Sequence, residues 1–233
     1  MPAHLRPSTL ASLGLGSVHE IFSRGRLPAH AAQLVEEIFG PADRRGALVI
    51  SGAGGIVGSG KIMQLGARLE PFGVPIVALD LPGAASALSV KYAGLARTFG
   101  SERAARIMSN VVHLSFDGRT LPPALAGLRP KVLIEAIPED LALKRAHYAL
   151  FRAAYPDLVI RSVTSGFPSR ELGVEVAHPA FPHEINKVWE VVEARPSPFT
   201  RLLWALGLIP VPVSDHWSFV LDVAFTGLTQ AGV

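Results

Sequence analysis

A chain of 233 residues with 49% hydrophobic and 18% charged residues has room for one large domain with short additions, and its balance excludes a disordered segment. The absence of cysteine excludes a disulfide framework and thiolate chemistry. The net charge of +3 comes from scattered basic residues with only short pairs such as Arg44-Arg45. It therefore makes no one-faced nucleic-acid footprint, although a mild positive balance suits a phosphorylated ligand.

Residues 1–46 read as an N-terminal extension. Within it, 30–39 has helical spacing, with Ala31, Leu34, Val35 and Ile38 on one face and Gly40-Pro41 as the stop. This helix either lies on the main domain or belongs to a linker. From residue 47 the pattern is β-α-β: a buried strand over 47–51, a glycine-rich turn, a helix over 59–69 ended by Pro71 and Gly73, and a strand over 74–79. A helical stretch follows over 84–108, then strands over 111–114 and 132–137, a helix over 141–155 and a strand over 158–163. Two later strands occupy 175–181 and 187–194, followed by a helix over 199–206, a strand over 209–213 and a last helix from about Trp217. Short apolar strands alternating with helices imply a Rossmann-like, doubly wound α/β fold on a mainly parallel sheet. The dinucleotide-binding domain is expected over 47–213 and a C-terminal helix over 214–233.

No apolar run reaches the ~18 residues of a membrane span, and the longest, 202–213, is broken by Gly207 and Pro210. The first residues, with His4, Arg6, Gly14 and Gly16, lack the apolar centre of a signal peptide. The expected compartment is the cytoplasm, and no membrane or nucleic-acid partner is expected.

The turn Ser51-Gly52-Ala53-Gly54-Gly55-Ile56-Val57-Gly58 joins the first strand to the first helix. Glycines there permit the tight turn, let backbone approach a pyrophosphate and pack helix against sheet, and the helix N-terminus offers N–H groups to phosphate. Gly52, Gly54 and Gly58 form G-x-G-x-x-x-G, one residue too long, whereas reading from Ala53 puts Gly55 and Gly58 in register without the first glycine. Asp80 lies 22 residues after Gly58, at a strand end, where a carboxylate can bind the ribose hydroxyls and repel a 2′-phosphate. NAD is thus favoured over NADP, the alternative being a glycine turn that binds no nucleotide. No metal site is expected.

Three later segments carry chemistry. The first is Glu135-Ala136-Ile137-Pro138-Glu139, followed by Lys144; the second is Ser162-Val163-Thr164-Ser165-Gly166. The third is His178-Pro179-Ala180-Phe181-Pro182-His183, continuing through Lys187 to Glu190-Val191-Val192. In order and spacing they resemble the NAD-dependent 3-hydroxyacyl-CoA dehydrogenases, whose patterns read E-A-[IV]-x-E-x-x-x-x-K, S-N-T-S-S-L and H-F-F-N-P-x-x-x-x-K-L-V-E-V-V. The resemblance runs from about residue 47 to 193. It implies a dehydrogenase with His178 as general base, Glu190 as the carboxylate that orients it, and Ser165 as the hydroxyl that binds the substrate's 3-oxygen. It implies that Glu135 and Lys144 contact the cofactor on its nicotinamide side. The residue types suit this chemistry: a histidine takes a proton near neutrality while the cofactor takes the hydride. Taken alone, His178 would be a satisfied strand histidine, Ser165 a turn residue, Lys144 a solvated lysine and Asp80 an exposed carboxylate. His183, in a loop, is expected at the surface.

The pattern departs from the family at Val163 and Phe181, which stand where it has asparagines, and at Gly166. Beyond Asp215 the family's D-T-P-G-F-I-x-N-R becomes Asp215-His216-Trp217-Ser218-Phe219-Val220-Leu221-Asp222, so Asp222 replaces an active-site asparagine. Little of the family's helical second domain follows. An apolar C-terminal helix with Trp217, Phe219, Val220, Val223 and Phe225 is expected to pair the chain into a homodimer, unless a partner chain supplies the missing domain. The leading expectation is hydride transfer between NAD and a 3-hydroxyacyl-CoA or related 3-hydroxy acid. A small hydroxy-acid or sugar-acid dehydrogenase of the same fold, or a nucleotide-binding or structural subunit without activity, are the alternatives.

Overall fold

Glycine and proline punctuate the sequence into short apolar runs, and these become the strands of a single sheet. The computed structural model describes residues 30–83, 93–97, 99–181, 183–184 and 186–219. In chain order it contains α1 (Ala31–Phe39), β1 (Ala47–Ser51), α2 (Ile56–Leu69), β2 (Ile76–Asp80), α3 (Ser101–Ser109), β3 (Val111–Ser115) and α4 (Ala124–Gly127). Then come β4 (Pro130–Glu135), α5 (Leu141–Ala154), β5 (Val159–Ser162), α6 (Ser169–Leu172), β6 (Glu175–Pro179), β7 (Val188–Val192), α7 (Pro198–Ala205) and β8 (Ile209–Pro212).

The strand order is β3-β2-β1-β4-β5-β6-β7-β8. Strands β1 to β6 pair in parallel, β7 runs antiparallel to β6, and β8 is parallel to β7. The order reverses between β1 and β4, which opens a crevice at the carboxyl ends of those strands, where α/β sheets bind ligands. The doubly wound fold is the one expected.

Two-residue alternation sorts the strand residues between two cores. Leu48, Ile50, Ile76, Ala78, Val132 and Ile134 face a cluster shared with α1, α2 and α7. Ala47, Val49, Val77, Leu79 and Leu133 face the other, built on Tyr148 and Phe151 of α5. Because both faces are covered, these strands read as continuous apolar runs. Helix α1 buries Ala31, Leu34, Val35 and Phe39 in the first cluster, beside Phe199, Leu202 and Leu203 of α7. Of the two readings of that helix, the structure selects the one in which it lies on the sheet domain.

Two expected elements differ. The helix expected to run unbroken over 84–108 is interrupted at Gly100, which adopts φ +83, so residues 93–97 and α3 are separate where the chain is described. Helix α2 starts at Ile56, three residues earlier than expected, because Gly55 is already the extended N-cap. The last helix, from about Trp217, falls almost wholly outside the described residues. No helix among those described is long and apolar enough to cross a membrane.

One buried charge stands out in this core. Lys61 of α2 is 0% exposed, donates to Gln64 Oε1 at 2.8 Å, and lies 4.5 Å from the centre of the Trp189 ring. Burial, and then the neighbouring Arg68 charge, holds its amine well below the ordinary lysine range. The unfolded chain therefore binds this proton more readily, and stability falls as pH drops from the unfolded lysine pKa toward the folded one. Lys61→Met is expected to raise the thermal midpoint, by about 2–4 °C for each kcal/mol recovered, and to flatten the alkaline rise in stability. Gln64 Oε1 keeps the Trp189 indole N–H as a donor at 3.2 Å. Thermal melts between pH 7 and 10 check it; an unchanged or lowered midpoint would refute it.

Candidate active site

The glycine turn leaves β1 at the crevice. Gly52 has φ +77, and a Cβ there would lie 2.3 Å from the Ala136 carbonyl oxygen; a Cβ on Gly58 would lie 2.1 Å from the Gly52 oxygen. Gly52 therefore makes the tight turn and Gly58 the close helix-to-turn packing. Ala53 is a buried core residue, 2% exposed, and Gly52 rather than Ala53 carries the left-handed backbone of the turn. The extra residue of the motif lies between Gly52 and Gly58. Gly55 caps α2 without any side-chain hydrogen bond to its first turn, which leaves the dipole end of a long helix for an anion.

Asp80 ends β2 beside this turn. Its carboxylate accepts from Gly54 N–H at 2.5 Å and from its neighbour Leu81 N–H at 2.7 Å. A cavity of about 160 Å³ opens here, lined among others by Ser51, Gly52, Asp80, Phe116, Ile137 and His147. A glycine turn, an uncapped helix start, a strand-end carboxylate and an apolar cavity at the order reversal together fit a dinucleotide.

Across the crevice, the antiparallel register sets His178 of β6 directly opposite Glu190 of β7. Residues so paired share one face of the sheet, and His178 Nδ1 lies 2.9 Å from Glu190 Oε2. Both are buried, at 4% and 2% exposure. Ser165 is exposed on the loop after β5. Residues 215–219 lie across that loop: Asp215 accepts from the Ser169 and Arg170 N–H groups, and Ser218 and Phe219 N–H donate to the Gly166 and Ser165 carbonyls. The Phe219 ring then stacks on His178, with centroids 5.1 Å apart and planes inclined by 24°. His178, Glu190 and the Ser165 loop thus come together through Phe219, while the glycines and Asp80 form a second group at the crevice.

Glu135 and Lys144 lie beneath the surface, at 0% and 1% exposure. Lys144 Nζ and Ile137 N–H donate to Glu135 Oε1, each at 2.7 Å, and Ser162 Oγ donates to Oε2 at 2.8 Å, as does the Tyr148 hydroxyl. Burial and the Glu135 charge push the Tyr148 phenol up, so it remains a donor. The carboxylate that reaches the rim is Glu139, which accepts from the Thr164 hydroxyl, from Gly166 N–H at 2.9 Å and from Lys144 at 3.1 Å. Its burial alone would raise its pKa, but the Thr164 bond, the Lys144 charge and the Gly166 N–H together hold it below the usual carboxylate range.

Residues 51–198 match the family model described as the 3-hydroxyacyl-CoA dehydrogenase NAD-binding domain. The chain belongs to that family. NAD is the cofactor that goes with this domain. No curated protein sequence matches the chain significantly. Among solved structures, it is similar to 3-hydroxybutyryl-CoA dehydrogenase from Escherichia coli K12, at 19% identity and a TM-score of 0.60, over 79% of this chain and 43% of that one. It is also similar to (S)-3-hydroxybutyryl-CoA dehydrogenase from Ralstonia eutropha, at 16% identity and a TM-score of 0.61, over 80% of this chain and 72% of that one. A third likeness is to the dehydrogenase part of multifunctional enzyme 1 from C. elegans, at 17% identity and a TM-score of 0.60, over 88% of this chain and 54% of that one. At these identities the likeness is one of fold, and the chain spans well under half of the Escherichia coli enzyme.

Within this 3-hydroxyacyl-CoA dehydrogenase domain, some expectations change. Phe219, expected on an exposed helix, is 2% exposed because its backbone is tied to Ser165 and its ring to His178. Ser218 adopts φ +60 where the family pattern has glycine, a left-handed backbone that a serine occupies only with strain. His183 is partly buried rather than on the surface, its Cβ against Gly60 of α2. Pro182 and Asp222 lie outside the described residues. No cluster of three or more His, Asp or Glu among the described residues is arranged to hold a metal. Sequence reasoning misses Glu139, Tyr148 and His147. Glu139 stands inside the quoted segment, and the others sit one turn beyond Leu143 and Lys144, so the helical period is the available signal.

Proposed function

We propose that the chain is an oxidoreductase that moves a hydride between NAD and a 3-hydroxyacyl-CoA or related 3-hydroxy acid. The observation that carries this is the buried His178–Glu190 pair, 2.9 Å apart, at the carboxyl edge of a sheet that also carries the glycine turn. Gly52, Gly54, Gly55 and Gly58 would hold the pyrophosphate at the start of α2, and Asp80 the adenosine ribose. When bound, NAD supplies the hydride acceptor. His178 takes the hydroxyl proton at its second ring nitrogen, while Glu190 fixes the tautomer and stabilises the imidazolium. Ser165 binds the substrate's 3-oxygen. Glu139 holds the Ser165 loop through Thr164 and Gly166, and Lys144 and Glu135 anchor Glu139 from below. The acyl-CoA portion would be completed by a second copy of the chain or by a partner chain.

A second reading, a nucleotide-binding subunit without turnover, is favoured by Val163 and Phe181, apolar where the family pattern has asparagine. NADH fluorescence titration followed by acetoacetyl-CoA separates the two. The expected result is saturable NADH binding and loss of the NADH signal on adding acetoacetyl-CoA. Binding without consumption would favour the subunit, and no binding would defeat both readings.

A further inference from the structure

Among the polar side chains that line the cavity at the order reversal, His147 carries a buried nitrogen with no partner among the described residues. His147 of α5 lines it together with Ser51, Gly52, Asp80, Phe116 and Ile137. The ring is 5% exposed and sits among aromatic neighbours, 5.5 Å from Phe116 and 4.9 Å from Phe151 between centroids. Its Nε2 is buried and has no hydrogen-bond partner among the described residues. Buried polar atoms in folded proteins are nearly always paired, and an orphan points to a ligand or water that supplies the partner. Asp80 and Gly52, beside it in the lining, already have functions: Asp80 holds Gly54, and Gly52 makes the turn.

We propose that His147 is the polar contact to the adenine base of the cofactor, pairing its imidazole with the base edge inside this cavity. The proposal rests on the NAD reading above. Burial, and then the Lys144 charge, push this imidazole down to about 4. It is therefore neutral near pH 7, with one ring nitrogen donating and the other accepting. The orphaned Nε2 of a neutral ring can make one hydrogen bond to adenine, accepting from its amino group or donating to a ring nitrogen according to the tautomer. A cationic side chain there would meet the ring nitrogens but not the amino group. Asp80, on the same cavity wall, stands where the ribose attached to that base would run.

The test compares wild type with His147→Leu, using NADH, AMP and reduced nicotinamide mononucleotide as probes by fluorescence and competition. The expected result is a loss of at least about tenfold in affinity for both NADH and AMP, equivalent to one hydrogen bond left unmade. Affinity for the mononucleotide, which lacks adenine, stays the same. The melting temperature without nucleotide rises, because the orphan atom is gone. His147→Gln, which can donate and accept, recovers part of the affinity. Should leucine prevent folding, His147→Phe gives the same comparison. Unchanged NADH and AMP affinity in the variant would overturn the proposal, as would an equal loss for the mononucleotide. A wild-type protein that binds NADH but not AMP would also overturn it, whereas one that binds no nucleotide at all would bring down the cofactor reading itself.

Discussion

Replacing His178 with alanine is expected to lower turnover by at least about a hundredfold while NADH affinity stays near the wild-type value. In the proposed mechanism the base acts in the chemical step and the cofactor is held elsewhere, by the glycine turn and Asp80. The pairing geometry makes a second arm informative. Glu190 acts on the proposed reaction through the imidazole, so Glu190→Gln should lower kcat with little change in KM. It retains the shape of the 2.9 Å contact but loses the carboxylate charge. In the double variant, the second change should add almost nothing to the first, because residues acting as one unit are strongly non-additive. Steady-state kinetics on the three variants checks this. Wild-type turnover in His178→Ala would remove the mechanism and leave only the fold. Additive losses in the double variant would separate Glu190 from the histidine's work.

The placing of His178 and Glu190 on consecutive strands is legible in the amino-acid sequence because it depends on local rules. Two short apolar runs mark those strands, the resemblance implies that the two residues work as a pair, and the antiparallel register that sets them face to face is seen only in the structure. The glycine turn is legible for the same reason, being confined to one strand-to-helix joint. Its register is not, because the close approach of Gly52 to Ala136 comes from the residue just past β4, far along the chain. Phe219 escapes local rules because its place depends on long-range backbone bonds to Ser165 and Gly166. The expected helix would turn that ring outward, whereas residues 217–219 lie as a strap over a loop and stack it on the histidine. Lys61 is invisible as a buried group, since a lysine on an amphipathic helix is ordinarily solvated. Its burial follows from Trp189 and Gln64 enclosing it, the indole coming from a strand more than a hundred residues away.

Glu135 tests the boundary between structure and site most sharply. The resemblance makes it a cofactor contact, while the register puts it between Ser51 of β1 and Ser162 of β5, inside the sheet. Its carboxylate is 0% exposed and takes hydrogen bonds from Lys144, Ile137, Ser162 and Tyr148. Removing it leaves a lysine that is 1% exposed with only Glu139 as counter-ion among the described residues, and leaves the Tyr148 and Ser162 hydroxyls without their acceptor. Breaking one side of a buried ion pair costs about 3–5 kcal/mol. Glu135→Ala is therefore expected to lower the thermal midpoint by roughly 6–20 °C, at about 2–4 °C per kcal/mol for a domain of this size. Glu139→Ala should cost less, since its side chain is 40% exposed and water replaces part of what it loses. At a temperature where the Glu135 variant is still folded, NADH should bind it with nearly wild-type affinity, because the carboxylate supports the crevice from beneath without facing it. Melting curves with and without NADH decide the matter. A variant with an unchanged midpoint and no NADH affinity would move Glu135 out of the interior framework and onto the cofactor.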